Sequence, residues 1–274
     1  ATNTPTIGIN GAYLGPVIRV NRNERVAFRV HNRLVAPSTL HWHGLNLPAA
    51  MDGGPHQVIN QGEIWQPEFQ IRQPASTQWY HSHIHRGTGA QVYQGLAGLM
   101  LIDDPEFDTL GLPMEYGVDD IPLIIQDRSF RQDGSFLYLG NMHDRMAGMH
   151  GDRILVKGTI EPALAVTKRL IRFRVLNGSN ARIYNLAFSD NRPFTQIASD
   201  GGLLDAPVVV SALRLAPGER AEILVQFDRG DRVLLGHKPL PRPTGRRRPA
   251  TTIRLRMTAS MLQVSPCASR NCSV

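Results

Sequence analysis

Two histidine-bearing stretches constrain this chain more than any other feature. They are His41-Trp42-His43-Gly44 and, about forty residues on, His81-Ser82-His83-Ile84-His85, which together hold five of its ten histidines. Each lies in a strand-like context, and alternate side chains of a strand point the same way. His41 and His43 therefore share a face, with Trp42 turned to the other, and His81, His83 and His85 share a face in the same manner. Residues two apart on a strand are roughly 6.5–7 Å apart, so such a pair can grip one metal or serve two neighbouring ones. A lone His-x-His in a strand is ordinary. Two in one β-rich segment, each followed by glycine-rich sequence, point to imidazoles converging on copper, zinc, iron or nickel.

The surrounding pattern is that of β-structure. Val26-Ala27-Phe28-Arg29-Val30 alternates as a half-buried strand does. Phe69 and Ile71 alternate before Gln73-Pro74-Ala75. Trp79-Tyr80-His81-Ser82-His83 predicts another strand, and Gly95-Leu96-Ala97-Gly98-Leu99-Met100-Leu101-Ile102 a buried one. Further strands are expected at Ile121–Ile125, Ile154–Val156, Leu170–Val175, Ala221–Phe227 and near 251–258. Few helical periods interrupt them, which favours β-sandwiches. A length of 274 residues accommodates one large or two medium domains. The expected organisation is a first domain over 1–104, a linker over 105–118, a second domain over 119–258 and a flexible tail over 259–274.

Charge and cysteine content exclude some classes. The net charge of +7 resides at the end of the chain, where eight Lys or Arg and no acidic residue follow Leu235. The run Arg246-Arg247-Arg248 lacks aromatic interleaving or any nucleic-acid motif, so a solvated end is expected rather than a nucleic-acid site. No apolar run approaches the roughly 18–20 residues of a membrane span. Ala1-Thr2-Asn3-Thr4-Pro5 has neither the basic start nor the apolar core of a signal peptide. The two cysteines, Cys267 and Cys272, could form one local disulfide or remain thiols. Met142, Met146 and Met149 cluster with His143 and His150. Thioethers favour Cu(I), so this is either a copper-loading segment or a mobile loop with methionine packing.

These residues resemble a known family. His41-Trp42-His43-Gly44-Leu45 with Asp52-Gly53-Gly54-Pro55, and Trp79-Tyr80-His81-Ser82-His83 with Gly95-Leu96-Ala97-Gly98-Leu99, resemble bacterial multicopper oxidases. Leu176-Asn177-Gly178-Ser179-Asn180-Ala181-Arg182 and Ser189-Asp190-Asn191-Arg192-Pro193 through Ala198-Ser199-Asp200-Gly201-Gly202 narrow the likeness to the laccase-like periplasmic copper efflux oxidases. The resemblance spans roughly 8–235 and implies an all-β fold of two tandem cupredoxin-like Greek-key β-sandwiches, with the family's third domain absent. In that family a cluster of three coppers reduces O2 to water with electrons from phenols or cuprous ion. By resemblance His41 would bind the type 2 copper, and His43, His81 and His83 the paired type 3 coppers. His85 is left out. Asp52 matches an acidic residue that shuttles protons to bound oxygen; its other reading is a turn residue before Gly53-Gly54. Localisation would be periplasmic or secreted.

The sequence also departs from the family. Neither cysteine sits in the His-Cys-His run of the blue, type 1 copper site, and only four of the family's eight cluster histidines are present. Three accounts follow: a truncated oxidase, a partner of a third cupredoxin domain in another chain, or a non-catalytic metal-binding or protein-binding module. The truncated oxidase is the reading preferred from sequence, and the expected partners are O2 and a small reducing substrate.

Overall fold

A computed structural model describes residues 3–238 and 254–260. Its strands fall into two successive β-sandwiches. The first half contains β1 (Ile18–Asn21), β2 (Arg25–Ala27), β3 (Val30–His31), β4 (His41–His43), β5 (Ile64–Trp65), β6 (Glu68–Gln70), β7 (Ser76–His81), α1 (Thr88–Gln94) and β8 (Ala97–Asp103). One layer is a four-stranded sheet in the order β1-β8-β7-β4; the other is two short ladders, β2-β6 and β3-β5. Between them lies a core of Trp42, Tyr80, Met100 and Ile102 against Val26, Phe69 and Ile71.

Two local differences from the sequence expectation have physical reasons. The strand expected over 26–30 is split into β2 and β3, each with its own partner, β6 and β5. Pro67 lies between β5 and β6 and has no N–H to carry one ladder through; its carbonyl instead accepts from Phe28 N at 2.9 Å. The strand expected over 79–83 begins earlier, at Ser76, and ends at His81. Beyond it the chain leaves the sheet: Ser82 Oγ donates to Gln91 Oε1 at 2.5 Å, and the Ile84 carbonyl collects the N–H groups of Gly87 and Thr88. That turn opens α1, a helix the strand pattern does not announce.

The second half contains β9 (Asp120–Phe130), β10 (Phe136–Leu137), α2 (Met142–Ala147), β11 (Arg153–Val156), β12 (Thr159–Ile160), β13 (Ala163–Val166), β14 (Leu170–Asn177), β15 (Tyr184–Phe188), β16 (Phe194–Ser199), β17 (Gly202–Val210), β18 (Leu213–Leu215), β19 (Arg220–Gln226), β20 (Arg232–His237) and β21 (Leu255–Ala259). They form an eight-stranded and a five-stranded sheet over a core that includes Ile171, Phe173, Val175, Ile223, Val225, Phe188 and Met257. β21 alternates buried and exposed residues as expected and extends to Ala259, itself buried. Ser260 N then donates to the Val166 carbonyl at 2.9 Å, so the expected flexible tail does not begin at 259; from residue 261 on it lies outside the described residues, with Cys267 and Cys272, as does Arg246–Arg248.

The halves meet across β7. Tyr80 faces its own sandwich, whereas Thr77, Gln78 and Trp79 reach residues of the second half. Trp79, Leu99 and Leu101 pack there with Ile124 and Leu176. Beside this apolar patch is a buried ionic network. Alternation in β14 and β19 sends the apolar residues to the second core and Arg172, Arg174, Arg220 and Glu222 to the interface, all less than 6% exposed. Arg174 makes a two-point pair with Asp120 at 2.6 and 3.0 Å and reaches Glu222 at 3.1 Å. Arg172 Nε donates to Glu222 at 2.8 Å, and Thr77 Oγ1 donates to Glu222 Oε1 at 2.7 Å. Burial alone would raise the Glu222 carboxyl, but Arg174 and Arg172 outweigh it and hold it below the ordinary glutamate range.

Removing one partner of a buried pair leaves the other charge uncompensated. Glu222→Gln is therefore expected to cost about 3–5 kcal/mol in urea unfolding. The folded carboxyl titrates below its ordinary 4.5, so the unfolded chain takes up the proton first. Stability present above that pH is lost as pH falls below it, and this acid limb should flatten in the variant.

Candidate metal centre

β4 and β7 are antiparallel neighbours in the register His41↔His81, Trp42↔Tyr80 and His43↔Trp79. This register and the period of two place His41, His43 and His81 on one face, with Trp42 and Tyr80 in the core behind. The donor atoms of these three imidazoles lie within 4.8 Å of one another, and they are the one such group of His, Cys, Asp and Glu among the described residues. His83 joins from the turn after β7 rather than from the strand. Its ring centroid is 5.1 Å from His41 and 5.9 Å from His81, and its backbone is fixed by His83 N donating to Thr39 Oγ1 at 2.7 Å. His85 is exposed in the same turn.

The hydrogen bonds determine which nitrogens are free. His41 Nδ1 donates to the Asp52 carbonyl at 3.0 Å, with the Asp52 carboxylate 3.2 Å away. His81 Nδ1 donates to the Ser82 carbonyl at 2.7 Å. A carbonyl can only accept, so Nδ1 carries the donated proton in both rings and Nε2 is the nitrogen left to ligate. His43 Nδ1 lies 3.1 Å from His81 Nε2 and donates to it. His43 and His81 would each offer a ring nitrogen to a metal held at this site. Backbone carbonyls that orient ligand imidazoles are the usual outer support of a metal site.

His81 and His43 are neutral at ordinary pH. Burial lowers His81 to about 3, opposed by the Ser82 carbonyl and reinforced by His43. Burial lowers His43 to about 4, with the Arg220 guanidinium the next cause. Neutral imidazole is the ligating form, so the donor set and its protonation fit a borderline cation such as Cu(II) or Zn(II).

Several residues of the site are not evident in the histidine pattern. Trp79 stacks on His81 at 4.0 Å and lies 4.9 Å from His43. From the second half, Arg220 donates to Gln78 Oε1 at 2.6 Å and to the Thr77 carbonyl at 3.2 Å. A Cβ added at Gly218 would stand 3.5 Å from Trp79 and 3.9 Å from His43. The only sequence signal for this contact is an Arg at a polar position of a strand, which any solvated face also shows.

Asp52 caps a short 3-10 turn over Ala49–Met51, so its turn-residue reading holds alongside its contact with His41. Gly53 follows at φ +71, where an added Cβ would fall 1.8 Å from the Leu40 carbonyl oxygen. Gly53→Ala must move this loop and withdraw the Asp52 carbonyl from His41. The expected cost exceeds about 1 kcal/mol in thermal unfolding, with metal affinity reduced by about 10–100-fold.

Comparison with known proteins accords with this geometry. Residues 1–106 match the multicopper oxidase family. The chain is 44% identical over 226 residues to "Cell division protein FtsP" of Xenorhabdus nematophila, covering 82% of this chain and 47% of that protein. It is 42% identical over 226 residues to the protein of that name from Yersinia pestis, with the same coverage of 82% and 47%. The chain thus spans about half the length of the curated relatives it matches. Among solved structures it superposes on the laccase-like multi-copper oxidase CueO of the lignin-degrading bacterium Ochrobactrum sp. with a TM-score of 0.86 and 41% identity, covering 96% of this chain and 58% of that one. A multi-copper oxidase from Pediococcus acidilactici gives 0.84 and 35%, covering 98% and 56%. Residues 1–106 thus belong to the multicopper oxidase family, and the two tandem cupredoxin-like β-sandwiches superpose on solved members of it.

Proposed function

We propose that this chain supplies half of a copper centre for O2 reduction. The reaction is one-electron oxidation of a phenol or of cuprous ion, coupled to reduction of O2 to water. The observation that carries the reading is the convergence of His41, His43 and His81 donor atoms within 4.8 Å. Copper bound there would supply one-electron steps, which is the chemistry a four-electron reduction of O2 requires.

The chain's own residues do the rest. His41 takes the type 2 position, and His43, His81 and His83 the type 3 positions. The carbonyls of Asp52 and Ser82 fix the rings of His41 and His81. The Asp52 carboxylate, 36% exposed and 3.2 Å from His41 Nδ1, is placed to pass protons between solvent and the site. A third cupredoxin domain, in the same polypeptide or in another chain, would supply further imidazoles. Bacterial oxidases of this kind work outside the cytoplasm, and we place this protein in the periplasm or medium. Among the described residues no helix is long and apolar enough to cross a membrane.

A second reading has its own support. Proteins named for cell division share 44% and 42% of residues over 226 positions with this chain, which favours a copper- or protein-binding module without turnover.

Copper stoichiometry and O2 uptake separate these readings. The chain is expected to bind one or two coppers with no blue copper–thiolate absorption, and His81→Ala with His83→Ala should weaken binding more than tenfold. Unchanged copper content in that double variant would remove the ligand assignment. Copper bound without phenol-dependent O2 uptake, even with a third cupredoxin domain supplied, would select the non-catalytic module.

A further inference from the structure

The methionine-histidine segment has no part in the centre described above. The structure divides its residues into two kinds. Met149 is core, 4% exposed. Met142 and Met146 are 69% and 81% exposed, so neither is there for packing. They sit one turn apart on α2 (Met142–Ala147). At about 100° per residue, Met142, Met146 and His143 fall within an arc of about 100°, while Asp144 and Arg145 lie outside it. Side chains four apart on a helix have Cβ atoms about 5–6 Å apart. A thioether on three rotatable bonds can therefore bring both sulfurs onto one ion.

The helix presenting this face is anchored at both ends. Asn141 Oδ1 accepts from Asp144 N at 2.9 Å. Gly148, at φ +89, ends the helix so close to Ala181 that an added Cβ would lie 2.5 Å from its Cβ. Met149 then enters the core, and Gly151 N donates to the buried Asp127 carboxylate at 2.7 Å. The thioether face is thus held outward on a short, capped element rather than on a loop.

We propose that the outward face of α2 is a second metal site, for a soft monovalent cation of the Cu(I) class, ligated by the sulfurs of Met142 and Met146 with His143 beside them. Thioethers select soft ions, whereas Ca(II) and Mg(II) need oxygen ligands that this arc lacks. The site is independent of the histidine centre, whose neutral imidazoles suit Cu(II) as well. It holds whether or not the chain takes part in O2 reduction. Its effect would be to keep reduced copper on the protein's surface.

The test uses the full chain, with Cu(I) titrated anaerobically against a chromophoric Cu(I) chelator, and Ag(I) as a redox-inert probe. Met142→Leu with Met146→Leu removes both sulfurs at exposed positions and keeps a good helix former, so the thermal midpoint should not move. The variant is expected to lose one equivalent of Cu(I), or to bind it at least tenfold more weakly, with Cu(II) uptake by the histidines unchanged. In the wild type, one equivalent of Ag(I) should shift the methyl resonances of Met142 and Met146 together and leave Met149 in place. Equal Cu(I) uptake by both proteins, or Ag(I) that moves neither methyl, would overturn the proposal. Loss of Cu(II) uptake in His81→Ala with His83→Ala while Ag(I) still shifts both methyls would leave this site standing and the histidine assignment confirmed.

Discussion

The histidine centre depends on β7 being held from both faces. A strand at a sandwich surface ordinarily buries one face and wets the other, but every residue of Ser76–His81 is buried. Tyr80 anchors one side in the first core. On the other, Trp79 packs with Ile124 and Leu176, and Thr77 and Gln78 are tied to Glu222 and Arg220. The second sandwich therefore fixes the strand that carries His81, and through its pairing with β4 it also fixes His41 and His43.

Burial at this joint sets the chemistry as well as the geometry. Four imidazoles could not all carry charge at such separations, and the low dielectric around His81 and His43 removes that option by keeping them neutral. Arg220, fixed by Asp200, Thr77 and Gln78, adds a cation on the side of His43. The same interface that aligns the rings thus keeps their lone pairs available. In the ionic network the buried charges are paired at every corner, which makes the interface specific in register even where it adds little net stability.

The family relationship and the named relatives bear on different levels. Family and fold follow from the two sandwiches and their likeness to solved laccase-like oxidases. Activity is a separate matter: the chain covers 47% of a curated relative that carries a cell-division name. The α2 thioethers belong to neither question, since they stand exposed on a helix of the second half.

The period of two in His41-Trp42-His43 already determined that Trp42 would face the core and the histidines the opposite side, because side-chain alternation is a property of any strand. The β-rich architecture and the final strand, Leu255–Ala259, were legible for the same reason. Other features were decided only in three dimensions. Whether His41 would stand opposite His81 is a matter of register between segments forty residues apart, which no local pattern encodes. His83 reaches the site from a turn because Ser82 is drawn toward Gln91, a contact with a helix that strand periodicity cannot predict. Pro67 divides an apparently continuous strand only because it sits opposite Phe28 across the ladder. Arg172, Arg174 and Arg220 alternate with apolar residues as any strand's polar face does; they are buried because the first sandwich covers that face through Thr77 and Gln78, and burial is a property of the assembled fold rather than of the strand.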